Sequence, residues 1–300
     1  GRALVLDPRT LVLDPHGALR TPWRLAVFVA AVAVSLVVVN AVVVPLVAGV
    51  AWFAAGQRLE LAWWAFLAAV LLAHVVSFRF AGGDWTAVRL GRAAARPRAV
   101  LTGVAIGVVA IGVPALLLLA VGWLRAQPAA PGSSLAAGAR LLVALAPAAL
   151  GEELLVRGYA FAALRHGAGD GWAVALTSVA FGLLHLQNEG ANLQAVGQVV
   201  FAGVWLCGVL LATESLYAAW AAHLGWNWVM AAVLHAPVSG LTFAVPDFRV
   251  IDAGPDWATG GAWGPEGGLG ATLGMALTLT FLFARRTRRE EPRAWPTASR

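Results

Sequence analysis

The amino-acid sequence predicts an all-α polytopic integral membrane protein with about eight transmembrane helices. Three observations carry this reading. Of the 300 residues, 60% are hydrophobic and only 12% are charged, whereas a soluble domain carries charge on about 25% of its residues. Apolar runs close to the roughly 20 residues that cross a bilayer recur along the chain. The 21 basic residues are all Arg and fall mostly between those runs, where positive charge sets orientation.

In chain order, residues 1–22 form a lead with an internal echo, Leu-Val-Leu-Asp-Pro at 4–8 and again at 11–15, whose prolines oppose a long helix. Because the chain begins with Gly1 and not Met, a leader or tag remnant is expected ahead of it. The first span, about Trp23 to Ala55, is longer than one crossing needs and holds Asn40 and Pro45, so a tilt or kink is expected. The second covers about Leu59 to Phe78, with His74 near its end. Arg79 to Arg98 holds five arginines with Gly82, Gly83 and Pro97, and reads as an interfacial amphipathic connection. The third span covers about Ala99 to Leu124. The fourth runs from about Leu135 to Arg165 and is closed by a Gly-rich turn at 166–171. The fifth, sixth, seventh and eighth cover about Trp172 to Leu186, Leu193 to Ala212, Leu216 to Leu234 and Leu269 to Ala284. Residues 236–267 form a polar loop rich in Pro and Gly, with Asp247, Asp252, Asp256 and Glu266, and residues 285–300 an Arg-rich tail.

Counting Arg24 at the start of the first span with the N-terminal lead, sixteen of the 21 arginines lie in that lead, the Arg79 to Arg98 segment, the Arg165 turn and the tail. By the positive-inside rule both termini are cytoplasmic and the acidic loop faces outward. Residues 23–284 therefore read as a single membrane domain, with the lipid bilayer as its surroundings. The formal charge of +6 does not indicate nucleic acid, because no basic patch is interleaved with aromatics. Cys207 is the single cysteine, which excludes a disulfide framework and a Cys-based metal site.

Within the fourth span the stretch from Leu150 to Phe161 places three charges where hydrocarbon disfavours them, at about 2.5–3.5 kcal/mol each at the bilayer centre. Glu153 and Arg157 lie one helical turn apart in the favourable order for an ion pair. Glu152 projects about 100° away from Glu153 and has no partner on its own helix. Counted from the cytoplasmic helix ends, Glu152, His185, His223 and Asn227 all lie roughly 15–21 Å deep at 1.5 Å per residue. His223 and Asn227 share one helix face, and Phe181 lies one turn from His185. A carboxylate, two imidazoles and an amide converging at one depth suit hydrolysis: a partly desolvated glutamate serves as general base, and imidazole or amide donors stabilise an oxyanion. The spacing excludes the His-Glu-x-x-His zinc helix. A divalent metal such as zinc, held by Glu152, His185 and His223, and no cofactor at all both stay open.

Three segments together, Glu152-Glu153-Leu154-Leu155-Val156-Arg157, Phe181-Gly182-Leu183-Leu184-His185 and His223-Leu224-Gly225-Trp226-Asn227, resemble the motifs of the CAAX-protease and bacteriocin-processing family (CPBP, or Abi) of intramembrane proteases. The resemblance implies an eight-helix membrane endopeptidase with its catalytic core on helices four, five and seven, within about residues 135–235. Carried over by position, Glu152 with His185 activates the water, His223 with Asn227 stabilises the oxyanion, and the Glu153–Arg157 pair supports them. Phe181 and Trp226 are candidates for substrate contact. The Arg-only, Ala- and Val-rich composition points to a bacterial inner membrane, and hence to a peptide or membrane-protein substrate over a prenylated one.

Plainer readings stand beside these. The Glu153–Arg157 pair also fits helix packing alone. His74 and His235, without matching partners, read as structural or interfacial, His166 as solvated in a turn and Glu189 as facing water. Two rival functions are a catalytically silent scaffold or bacteriocin-immunity protein, which would be free to lose Glu152, His185, His223 and Asn227, and a transporter, which would be expected to show an inverted repeat. The first three spans hold almost no polar residues and the last five nearly all of them. Substrate, cleavage position and oligomeric state leave no mark in the sequence.

Overall fold

The structure, a computed structural model, describes residues 9–48 and 58–284. The first half of the sequence echo, the end of the first expected span at 49–55 and the Arg-rich tail lie outside the described residues. Among the described residues the long helical elements are α1 Thr21–Val38, α2 Arg58–Ala81, α3 Pro97–Ala120, α4 Ser134–Arg157, α5 Tyr159–Leu184, which is kinked at Gly169, α6 Leu193–Thr213, α7 Leu216–Trp228 and α8 Leu269–Ala284. Their starts follow local chemistry. Pro22 and Pro97 open α1 and α3, where a missing N–H costs nothing. The side chains of Ser133, Asn192 and Ser215 accept the backbone N–H of Ala136, Ala195 and Ala218 at the starts of α4, α6 and α7.

The expected distortion of the first span takes the form of a π-helical turn at Val39–Val43, continued by a helix at Val44–Ala48. Pro45 has no N–H for the residue four back, and one extra residue per turn accommodates the mismatch. Among the described residues five helical stretches are long and apolar enough to cross a membrane: Thr21–Leu46, Glu60–Ala81, Pro97–Ala120, Ser134–Leu184 and Leu193–Thr213. Helix α8 is apolar but shorter.

Three sequence expectations need correction. The fourth span is not one helix to Arg165: α4 stops at Arg157, Gly158 takes φ −81° and ψ −119°, and α5 starts at once. A Cβ at Gly158 would run into the Leu154 carbonyl and into His74, so only glycine fits. The turn expected at 166–171 contracts to one residue, Gly169, at φ 83°. The Arg79 to Arg98 connection is a run of turns with one 3₁₀ turn at Arg92–Ala94. It is bound to the α6–α7 corner: the Leu216 N–H donates to the Arg89 carbonyl, Ser215 Oγ to Ala94, Tyr217 Oη to Leu90 and Arg96 to Thr213, and Arg89 pairs with Glu214 at 2.7 Å. The chain is also not purely α. A two-stranded antiparallel sheet pairs β1 Leu124–Pro128 with β2 Phe248–Asp252, Leu124 opposite Asp252, and ties the α3–α4 connection to the α7–α8 loop.

Helices α3 and α7 approach closely because small residues face one another. A Cβ on Gly103 would run into the Ala218 carbonyl and one on Gly107 into that of Ala222. Gly274 of α8 sits in the same way under the Ala110 carbonyl of α3. Where lipid tails are as apolar as the side chains, close backbone approach of this kind drives helix association. The seam fixes α7, and with it His223, which follows Ala222.

Candidate active site

The site is built on one oxygen. Glu153 is fully buried, and its Oε1 accepts from Arg157 Nη1 at 3.0 Å and from His223 Nδ1 at 2.9 Å. The expected ion pair is present. Its link to His223 was not foreseen, because helical spacing within α4 says nothing about a residue on α7. With Nδ1–H committed to Glu153, His223 Nε2 points the other way, 3.8 Å from Glu152 Oε2. Both acids of the pair therefore address the same imidazole. They differ in access: the Glu153 side chain is 0% exposed and that of Glu152 34%.

Phe181 joins the remaining members. The Arg157 guanidinium lies over its ring at 4.1 Å, a cation–π contact that covers charge without a hydrogen bond. The same ring meets His185 edge-on at 4.8 Å and His223 at 6.0 Å. His185 is not inside its helix but caps its end, and its Nδ1 donates to the Phe181 carbonyl at 2.8 Å, which turns Nε2 outward. His185, His223, Asn227, Phe181 and Trp226 line one small cavity of about 40 Å³. Glu152 reaches the group through His223. Five expected residues are thus brought to one cavity and the sixth, Glu152, to the His223 imidazole.

The cavity has a wall that the sequence reading missed. Trp226 Nε1 donates to Glu266 Oε2 at 2.7 Å, and Glu266 Oε1 accepts the Ser239 N–H at 2.5 Å and its hydroxyl at 2.8 Å. Ser239 and Glu266 come from the loop expected to face outward, and both line the cavity. The loop folds back because it has its own order, with β2, a short helix at Asp256–Thr259, and Trp263 fully buried. Gln198 of α6 lines the cavity as well. Its signal was available in principle: it is an amide inside an apolar helix.

The histidines set aside as structural behave so, with partners the sequence did not reveal. His74 is fully buried; its Nδ1 donates to the Val70 carbonyl at 2.8 Å and its Nε2 accepts the Tyr159 N–H at 3.1 Å. That N–H is one of those left open at the start of α5, so His74 holds the corner that follows Arg157. His235 Nδ1 donates to the Phe248 carbonyl at 2.6 Å. His166 and Glu189 are exposed.

Among the described residues no group of three His, Cys, Asp or Glu side chains could hold a metal ion. Glu152, His185 and His223 do not form such a set: Glu152 lies against His223, and both histidines keep Nε2 open while Nδ1 is hydrogen-bonded.

No curated protein and no solved structure matches the chain. Residues 134–229, from the start of α4 to the end of α7, match the family model described as type II CAAX prenyl endopeptidase Rce1-like. With the five apolar helices, this match supports an integral membrane protein with a CAAX-type intramembrane protease function in general terms. Over residues 134–229 the chain is therefore similar to the Rce1-like proteins of the CPBP family, the resemblance that its three motifs carry.

Proposed function

We propose that the protein is an intramembrane endopeptidase in which Glu152 activates water for attack on a peptide bond. The observation that carries this is the shared Glu153 oxygen, which turns His223 Nε2 toward Glu152 beside a cavity lined by His185 and Asn227. Glu152 takes a proton from a water that His185 Nε2 orients by accepting its second hydrogen. The hydroxide oxygen bonds to the scissile carbonyl carbon, and the carbonyl electrons move onto its oxygen. That oxyanion receives hydrogen bonds from His223 Nε2–H and from the Asn227 amide. Nε2 donates only when the imidazole carries its second proton, and the Glu153 carboxylate lies against the ring where it balances that charge. The site then holds two carboxylates against one guanidinium and one imidazolium. As the tetrahedral intermediate collapses, protonated Glu152 returns its proton to the leaving amine and the C–N bond breaks.

The substrate class is a peptide or membrane protein, presented from within the bilayer of a bacterial inner membrane. Eight crossings, with both termini cytoplasmic, complete the reading. In its support, Arg89, Arg96 and Arg165 gather with Glu214 and Thr213 at one end of the helices, while Asp247, Asp252 and Asp256 belong to the loop whose strand pairs with β1. Residues 23–284 form the membrane domain, with the core at about 135–235.

The test compares peptide termini, quantitatively, in host membranes carrying the wild-type protein or Glu152→Gln at matched expression. Termini present only with the wild type are expected, with equal amounts of folded protein. Identical profiles, with a phenotype retained by the variant, would replace this reading with the scaffold or immunity one.

A further inference from the structure

We propose that Gln198 is a substrate-binding residue whose side-chain amide donates a hydrogen bond to a main-chain carbonyl of the bound peptide; the proposal rests on the protease reading above. Helix α6 buries an apolar face that includes Ala195, Val196, Val199, Trp205 and Leu206, and Gln198 interrupts it at 9% exposure. A fully buried amide would need partners at both ends, but Gln198 Nε2 is not among the fully buried atoms without one, so its donor end is accessible. Only one end is met by the protein. The Thr272 hydroxyl of α8 donates to Gln198 Oε1 at 2.7 Å, which fixes the rotation of the amide and leaves Nε2 as the other end. Among the described residues no acceptor reaches Nε2.

Gln198 lines the cavity that holds His185, His223 and Asn227. The missing partner of its N–H groups is thus a ligand in the candidate active site, and it must be an acceptor. Glu266 on the same lining disfavours an anionic acceptor and favours a neutral one. A peptide carries a neutral acceptor in every backbone unit. A neutral donor also suits the place, because it offers no proton that competes with Glu152 for water. If α6 needed only packing, Leu or Met would fill the position without the unmet donor.

The experiment uses the full-length protein in detergent micelles and an internally quenched peptide spanning the bond located by the terminus comparison. Gln198→Leu removes both ends of the amide. Gln198→Glu keeps the acceptor for Thr272 and replaces the donor with a carboxylate oxygen, which guards against a folding defect in the first variant, while the ester series below separates loss of the donor from the added charge. Both are expected to raise KM about tenfold, the size of one lost hydrogen bond, with kcat within about twofold and an unchanged melting temperature. A series of peptides with single backbone esters, each weakening one carbonyl acceptor, should contain one position near the cleaved bond whose penalty in the wild type disappears in both variants. Wild-type KM in both variants, or ester penalties that match the wild type at every position, would overturn the proposal while leaving the protease reading intact. Cleavage of the parent peptide by Glu152→Gln at the wild-type rate would instead overturn the protease reading, and this proposal with it.

Discussion

Replacing Arg157 with Ala tests whether the buried pair is as consequential as its geometry indicates. Both side chains of the pair are fully buried. Without the guanidinium, Glu153 keeps only the His223 Nδ1–H at 2.9 Å, while its Oε2 already has no hydrogen-bond partner among the described residues. Removing one member of such a pair costs about 3–5 kcal/mol, because the remaining charge stays buried. Loss of the contact over Phe181 at 4.1 Å adds about 0.5–2 kcal/mol. The sum corresponds to a fall in melting temperature on the order of 10 °C, which tryptophan fluorescence of the detergent-purified protein would follow. The double variant Glu153→Gln with Arg157→Met removes both charges and keeps an oxygen for His223. It is expected to recover more than half of the loss, since the single variant's penalty is an uncompensated charge and not a missing attraction. A single variant within about 1 kcal/mol of the wild type, or a double variant no better than the single, would refute the reasoning.

Two further predictions concern the frame around the site. His74→Phe keeps a ring among Phe28, Phe78 and Trp85 but deprives the Tyr159 N–H of its acceptor; a loss of about 1–3 kcal/mol in the same melt is expected, and an unchanged melting temperature would mean the corner does not need that bond. Asp247 accepts from the Ser134 hydroxyl and the Gly132 N–H, which hold its carboxyl below the usual 3.8. Because the folded value is the lower one, its stabilisation is present above pH 3.8 and disappears as pH falls through the folded value. Asp247→Asn should flatten the acid limb of a plot of melting temperature against pH, and parallel limbs in the two proteins would exclude this role.

How much of the site could be read in the sequence depends on the distance each inference had to span. Spacing along one helix was enough to pair Glu153 with Arg157, to put His223 and Asn227 on one face, and to bring Phe181 next to His185. Periodicity cannot see contacts across the chain. The bond from His223 to Glu153 spans 70 positions and that from Tyr159 to His74 spans 85. The same blindness hid the break at Gly158, since a lone glycine in an apolar helical pattern reads as a tolerated interruption. It also hid Glu266 and Ser239, because a polar loop rich in Gly and Pro looks solvent-facing until a buried Trp263 and a strand partner show what folds it inward.

Why the motif needs two adjacent acids follows from what each one touches. A single carboxylate cannot both hold the His223 ring in one orientation and stay open to water. Glu153 does the first: two donors converge on its Oε1, and complete burial keeps water from competing for them. Glu152, a step of about 100° around the helix, is left one-third exposed beside the Nε2 that Glu153 has turned toward it. The break at Gly158 completes the arrangement, since α4 ends on Arg157 and the chain departs before another turn could crowd the guanidinium that Phe181 covers. Hydrogen bonds remain unmade at Glu153 Oε2 and at Arg157 Nε and Nη2, a local deficit of the kind that packing elsewhere must offset. The Gly103–Ala218 and Gly107–Ala222 approaches supply that packing on the far side of α7. The small residues of α3 therefore belong to the same device as the acids of α4: one holds the helix, and the other holds the imidazole that the helix presents.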